Sequence, residues 1–307
     1  MATSLMPLLT SRTLWIAGWL AALGLCKAWP VNSQGKGTLP APVQVSFKEQ
    51  AYPGGVVRVD LQSSRDIAQI ECALSEQRLV FQPAAVKGQW TALAGIDLET
   101  KPGLYLVKGA VTFQDGRKVQ FDKSLRVLHK SFPVQRIAVE EKYVTLAAED
   151  QKRADEESKK LQALWKRATP EKLWQGQYLS PVEGALTSGF GRRRVVNNQP
   201  RSPHSGVDLK ASTGTPIRAA NFAKVALAED LFFSGNTVVL DHGLGLYTFY
   251  AHCSKILVKA GTMVNKGDVI AEVGATGRVT GPHLHWACRL NEARVNPLDL
   301  TQTWMSQ

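Results

Sequence analysis

Hydrophobic residues recur at every second position from Val43 onward. Val43, Val45 and Phe47 alternate with polar neighbours, as do Val57, Val59 and Leu61, and then Ile70, Cys72 and Leu74. Period-two runs of this kind predict half-buried strands, because successive side chains of a strand point to opposite faces of a sheet. The turn sequences Pro53-Gly54-Gly55 and Lys101-Pro102-Gly103 punctuate the runs. Asp115-Gly116 sits between two more strand-like stretches, which is a hairpin signature. Several short strands within residues 43–130 predict a β-sandwich. No group of His, Cys and carboxylate residues stands out in it, so it is assigned no chemistry.

The period then changes. Leu161, Leu164, Trp165 and Ala168 recur at helical spacing. Glu149 and Arg153, Asp155 and Lys159, and Glu156 and Lys160 are acid-before-base pairs four residues apart, and Pro170 ends the run. A helix over about 146–168 is expected within a connector spanning residues 131–176. Its narrow apolar stripe and solvated face favour a spacer over a partner-binding helix. Beyond residue 177 glycine becomes frequent and period two returns in "NTVVLDHG", "LYTFYAH", "GDVIAEVGATG" and "HLHWACRL". The chain is therefore expected to be mainly β: an N-terminal Ig-like β-sandwich, a helical connector, and a β-rich domain over 177–307.

The first residues differ from all of these. Arg12 precedes the apolar run "TLWIAGWLAALGLC", and "CKA" places small residues before a cut after Ala28. The run is too short for a membrane span, which needs roughly twenty residues. Residues 1–28 are read as a cleavable export signal, and 29–42, rich in Gly, Pro and small polar residues, as a linker. Lipidation at Cys26 is disfavoured because Leu25 precedes it where a small residue is wanted. The expected location is outside the cytoplasm, in the periplasm or cell envelope, with membrane contact only through the signal.

Removal of the signal leaves Cys72, Cys253 and Cys288, an odd number for an exported chain. Cys253 and Cys288 lie next to and near histidines and are expected to face each other, as a disulfide or as packed thiols. Cys72, in an alternating run, is expected to be a buried small residue. The 307 residues carry 37 Lys and Arg against 26 Asp and Glu, a net charge of +11. That charge favours polyanionic surroundings such as wall, anionic lipid or nucleic acid. Nucleic-acid binding is set aside, because no paired aromatic and basic motif accompanies the charge.

Chemistry concentrates in the last domain. His204 stands four residues before Asp208, and His283 and His285 flank Leu284. Residues two or four apart on a strand share a face. His252 closes the strand-like run "LYTFYAH". A catalytic zinc takes three protein ligands and keeps one position open. His204, Asp208 and one histidine of the His-x-His pair make three, which leaves the other, with His252 able to join it, to handle protons. His129 and His242 are read as structural. Arg192 to Arg194 either rim a groove or are solvated.

At this point the sequence resembles the LytM or lysostaphin-like zinc metalloendopeptidases that cut peptidoglycan. The stretches that carry the resemblance are "LTSGFGRRR", "PRSPHSGVDLKASTGTPIRAA", "GNTVVLDHGLGLYTFYAH", "VNKGDVIAEVGATGRVTGPHLHW" and "VNP", within residues 186–300. The resemblance implies one zinc ion per chain held by His204, Asp208 and His285. It implies His252 and His283 as the catalytic pair and a β-rich LytM-type metallopeptidase domain. It further implies peptidoglycan as the partner, with an envelope regulatory protein as a second. Cys253 departs from the leucine common in the family, and Cys288 is a second departure. The alternative is a non-catalytic wall-binding or amidase-activating module of the same fold. Its usual mark is loss of a zinc ligand, and none is lost here.

Overall fold

The computed structural model describes residues 43–138 and 146–302, so the expected signal and linker lie outside the described residues. Strands dominate, with one α-helix among the described residues. Two sheets form the first part. One runs in the order Val43–Phe47, Val56–Ser63, Gln89–Gly95, Gln82–Pro83; the other in the order Gln50–Ala51, Lys118–Val127, Gly103–Phe113, Ile67–Leu74, Gln77–Arg78. Their alternating apolar residues meet in one core that includes Val59, Leu61, Val107, Val111 and Leu125. The hairpin expected at Asp115-Gly116 joins Gly103–Phe113 to Lys118–Val127, with Gly116 at φ +81.

The second part is a ten-stranded sheet. Its central path runs Leu186–Ser188, Gly206–Leu209, Leu284–Leu290, Leu246–Ile256, Gly235–Asp241, Ala223–Leu231, Met263–Val264. One face of the central strands is mostly apolar: Leu246, Tyr250, Leu284, Trp286 and Leu290 are at most 1% exposed. Trp174, Tyr178 and Val182 join the same core, so chain that precedes residue 177 belongs to this packing.

The helix spans Ala148–Trp165. Its two most telling bases do not pair with the acids expected from the i,i+4 spacing. Arg153 reaches Asp230, as well as Glu157 on its own helix, and Lys160 reaches Glu229. Both Asp230 and Glu229 lie on the Ala223–Leu231 strand, so the charged face ties the helix to the sheet. Leu164 packs with Leu227, Leu231, Val239 and Tyr247. Trp165 stands edge-on to Tyr247 and Phe249, with ring centroids 5.4 and 6.4 Å apart. The helix is a seated layer rather than a free spacer.

The two parts also meet through Arg294. Its guanidinium bonds both oxygens of Asp97 and one of Glu99, and its backbone N–H donates to Asp97. Gly95 lies against Ala293 and Val295, where a Cβ would have no room.

Of the two alternatives left open for Cys253 and Cys288, a disulfide or unbonded thiols, the structure has unbonded thiols. Cys72, Cys253 and Cys288 are all buried free thiols. Cys253 and Cys288 belong to the apolar core of the sheet, and burial raises the Cys253 thiol to about 12. A thiol that cannot ionise is a poor nucleophile and metal ligand, and behaves as a small apolar group.

Candidate metal centre

The opposite face of the central strands carries the histidines. Asp208, on Gly206–Leu209, is register partner of His285, on Leu284–Leu290, and His285 in turn pairs with Ala251. His204 is not on a strand. It sits in the lead-in to Gly206–Leu209, held by backbone bonds to Arg192 and Gly191. Gly206 keeps the two segments close, because a Cβ there would strike Trp286 O and the His285 ring.

Three donor atoms converge. His204 Nε2 and His285 Nδ1 are 2.9 Å apart, His285 Nδ1 and Asp208 Oδ1 2.9 Å, and His204 Nε2 and Asp208 Oδ1 3.0 Å. The other nitrogen of His204, Nδ1, donates to Gly189 O at 3.1 Å and lies 3.2 Å from Ser188 Oγ. A neutral imidazole has one N–H, so Nε2 carries a lone pair. Burial, and after it the charge of His285, lowers the His204 pKa to about 4 against the pull of Asp208. A second proton is therefore disfavoured at neutral pH. Two lone pairs, on His204 Nε2 and Asp208 Oδ1, are left facing each other across 3.0 Å. That repulsion is relieved by a cation.

Asp208 is 8% exposed, and burial alone would raise its pKa. The neighbouring His285 and His204 imidazoles outweigh burial and hold it well below the carboxylate range, so it stays anionic. Two imidazole nitrogens and one carboxylate oxygen fit the donor set of a catalytic zinc.

His252 and His283 flank this triangle. Their rings are 5.0 Å apart, and the His252 ring is 6.0 Å from that of His285. Each is oriented by a backbone carbonyl: His252 Nδ1 donates to Thr276 O at 2.9 Å, and His283 Nδ1 to Gly281 O at 2.8 Å. In each ring Nε2 is left with its lone pair. His283 Nε2 is 3.7 Å from Asp208 Oδ1. Burial, with the charges of His285 and His283, lowers the His252 pKa to about 3.

His252 reaches this face through a break in alternation. The strand does not end at His252, as the sequence pattern implies, but continues to Ile256. It pairs with Leu284–Leu290 up to Ala251 and with Val269–Val273 from Cys253. Thr248 and Tyr250 are buried, and so is Cys253, in the same core as Tyr250, so one extra residue has been inserted. His252 takes the left-handed conformation, φ +65. This bulge re-aims a side chain, as bulges beside active sites do.

Of the supporting groups, only Arg194 was among the sequence candidates, as one of three arginines that either rim a groove or are solvated. Ser188 Oγ, beside His204, donates to Gln135 Oε1, and Thr276 Oγ1 accepts from Asn236 N–H and donates to Cys253 O. Arg194 Nη2 lies 3.4 Å from Asp208 Oδ2, while Arg193 is exposed. The third wall comes from the helix: Trp165 contacts Phe249, which stands edge-on to His285 at 6.3 Å.

His242 and His129 stand apart from the centre. His129 is exposed. His242 is fully buried; Nδ1 donates to Phe222 O, and Nε2 is 2.7 Å from Thr248 Oγ1. Burial lowers its pKa to about 4. The unfolded value near 6.5 is higher, so this stability is complete above pH 6.5 and is lost as pH falls through 4. About 3 kcal/mol is expected to disappear over that window. Urea unfolding at pH 7 and pH 4.5 checks it: His242→Gln should show the shallower pH dependence.

Comparison with known proteins gives a consistent set of likenesses. The family described as Peptidase family M23 matches residues 202–297. A crystal structure of a peptidase M23 from Pseudomonas aeruginosa is 32% identical with a TM-score of 0.64, over 83% of this chain and 96% of that one. Peptidoglycan DD-endopeptidase ShyA of Vibrio cholerae is 40% identical over 114 residues, 37% of this chain and 26% of that protein. DD-carboxypeptidase/endopeptidase Mpg of Neisseria meningitidis is 41% identical over 115 residues, 38% of this chain and 26% of that protein. The chain thus matches about a quarter of the length of these curated relatives.

Proposed function

Because this chain belongs to peptidase family M23, we propose that it is a zinc-dependent endopeptidase hydrolysing peptide bonds in the stem peptides or cross-bridges of peptidoglycan. The observation that carries the proposal is the triangle of His204 Nε2, Asp208 Oδ1 and His285 Nδ1, with two further imidazoles beside it. The names of the relatives, peptidoglycan DD-endopeptidase and DD-carboxypeptidase/endopeptidase, support wall peptide as the substrate class.

In this reading His204, Asp208 and His285 hold one zinc ion. Bound there, zinc supplies a Lewis acid and lowers the pKa of a water from about 15.7 to near 7. The carboxylate of Asp208 offsets part of the ion's charge. His252 and His283, each fixed by a carbonyl at Nδ1, present Nε2 for proton exchange. One accepts a proton from the attacking water and passes it to the amide nitrogen as the C–N bond breaks, while the other, in its protonated form, donates a hydrogen bond to the carbonyl oxygen as it gains negative charge. The Phe249 ring beside His285 limits water access from the helix side.

The proposal extends to the rest of the chain. The two front sheets are read as an Ig-like β-sandwich, residues 131–176 as the connector and 177–307 as the peptidase domain. The apolar run after Arg12 supports export to the periplasm or cell envelope.

Purified protein lacking residues 1–28 is expected to bind about one zinc per chain and to release soluble fragments from isolated sacculi. A chelator should stop the release, and added zinc should restore it. Mass spectrometry of the fragments would identify the cleaved bond. Zinc-loaded protein that leaves sacculi and soluble wall peptides intact would overturn the proposal.

A further inference from the structure

The acidic ligand of the centre lies at the edge of a basic cluster that holding a metal does not require. Arg194 and Arg201 are register partners across the antiparallel pair Arg193–Val196 and Gln199–Arg201. Arg278 is on the loop that supplies the carbonyls of Thr276 and Gly281 to His252 and His283. After burial, the charges of Arg194 and Arg201 are the next influences lowering its pKa, so the three guanidinium groups are neighbours. Arg194 and Arg278 are half-buried and Arg201 is exposed beside them, so like charges repel and two of the three lose hydration.

Arg278 and Arg194 are under-compensated. Arg278 lies over the Phe233 ring, 4.5 Å from its centroid, and its backbone N–H donates to Phe233 O. Among the described residues no carboxylate pairs with it. Arg194 reaches its one carboxylate, Asp208, at a long 3.4 Å, and its Nε is buried without a hydrogen-bond partner. Asp208 is itself committed to His204 and His285. Beside these groups a cleft of about 450 Å³ runs between the helix and the Phe233-Ser234 turn, and Arg201 and Arg278 line it. The Ser234 carbonyl beside the cleft accepts from His252 N–H, so one wall of the cleft is bonded to the backbone of a residue beside the metal centre.

We infer that Arg194, Arg201 and Arg278 form a carboxylate-binding subsite, which holds a free carboxylate of the peptide substrate on a residue flanking the scissile amide. The inference rests on the endopeptidase reading above and narrows its substrate class. A guanidinium presents a planar fork of N–H donors that matches a carboxylate in two parallel bonds. Arg194 bridges the subsite to the centre through Asp208, which sets the anion about one residue from the reacting bond. Asp155 and Glu157 line the helix side of the cleft and repel a polyphosphate more strongly than a single carboxylate.

The test compares two probes on the zinc-loaded chain: a purified cross-linked wall peptide with free carboxylates, and the same peptide with its carboxylates amidated. The parent is expected to show a KM about tenfold lower for the free form, the weight of one charge-assisted hydrogen bond. Arg278→Gln should raise that KM about tenfold with a smaller effect on kcat, and erase the preference. Arg278→Lys should recover part of it, because charge without the fork is retained. Zinc content of each variant reports whether the centre is intact. Equal KM for the two probes in the parent overturns the subsite and needs no variant to fold. Cleavage of neither probe overturns the endopeptidase reading itself.

Discussion

Replacing His283 by alanine is expected to leave zinc content unchanged and to lower wall-peptide hydrolysis about a thousandfold. The side chain contributes no edge to the triangle of His204, Asp208 and His285. Its Nδ1 is engaged by Gly281 O, and its Nε2 stands 3.7 Å from Asp208 Oδ1, beyond hydrogen-bond reach. Truncation therefore removes a proton carrier and little else. His252→Gly is the matching experiment on the other ring. The backbone there has φ +65, which glycine adopts freely and histidine does not. Glycine relieves roughly 1 kcal/mol of strain and deletes the imidazole. Activity should fall by a similar factor. Metal analysis and kcat on one preparation decide both cases. A His283→Ala variant that turns over as fast as the parent would sink the division between metal holders and proton carriers.

Asp208→Asn is expected to weaken zinc binding at least about a hundredfold, more than the loss of an outer hydrogen bond to a ligand. The reason is specific to the geometry. His204 Nε2 carries a lone pair that faces Asp208 Oδ1 at 3.0 Å. An asparagine amide can turn an N–H toward that nitrogen and replace a repulsion by a hydrogen bond. The metal-free variant should consequently melt above the metal-free parent, while the rise in melting temperature on adding zinc disappears. Calorimetry with and without zinc reads both effects. A metal-free parent that melts above metal-free Asp208→Asn would mean that a proton already occupies that edge.

The convergence of His204, Asp208 and His285 was legible in the sequence because these residues lie on or beside short strands with simple spacing. His283 and His285 are separated by Leu284, which is buried in the core, so they share the other face by alternation alone. His204 and Asp208 also converge, although His204 does so from a loop whose backbone bonds no spacing rule reveals. The front strands and the helix were legible for the same reason: apolar periodicity reports which face is buried.

His252 marks where such reading stops. Alternation puts it on the face of Tyr250, inside the core, and the bulge that reverses it is set by pairing with two different neighbours. No local composition encodes that exchange. The charged side of the helix misled for a related reason. Arg153 and Lys160 have the acids Glu149 and Glu156 four residues before them, but Arg153 pairs with Glu157 and Asp230 and Lys160 with Glu229. Arg194 was ambiguous as one of three adjacent arginines, since only the sheet register brings it, and not Arg193, to Asp208.

The seat of the helix bears on how small a working enzyme can be. A fragment cut to begin at residue 177 would keep the triangle of His204, Asp208 and His285 and the rings of His252 and His283. It would also lay bare Leu227, Leu231, Val239 and Tyr247, an oily strip now hidden under Leu164 and Trp165. Such a strip on an open sheet invites clumping. The shortest soluble version therefore starts ahead of Ala148, and swapping front halves between relatives must carry the helix along with the catalytic sheet it shelters.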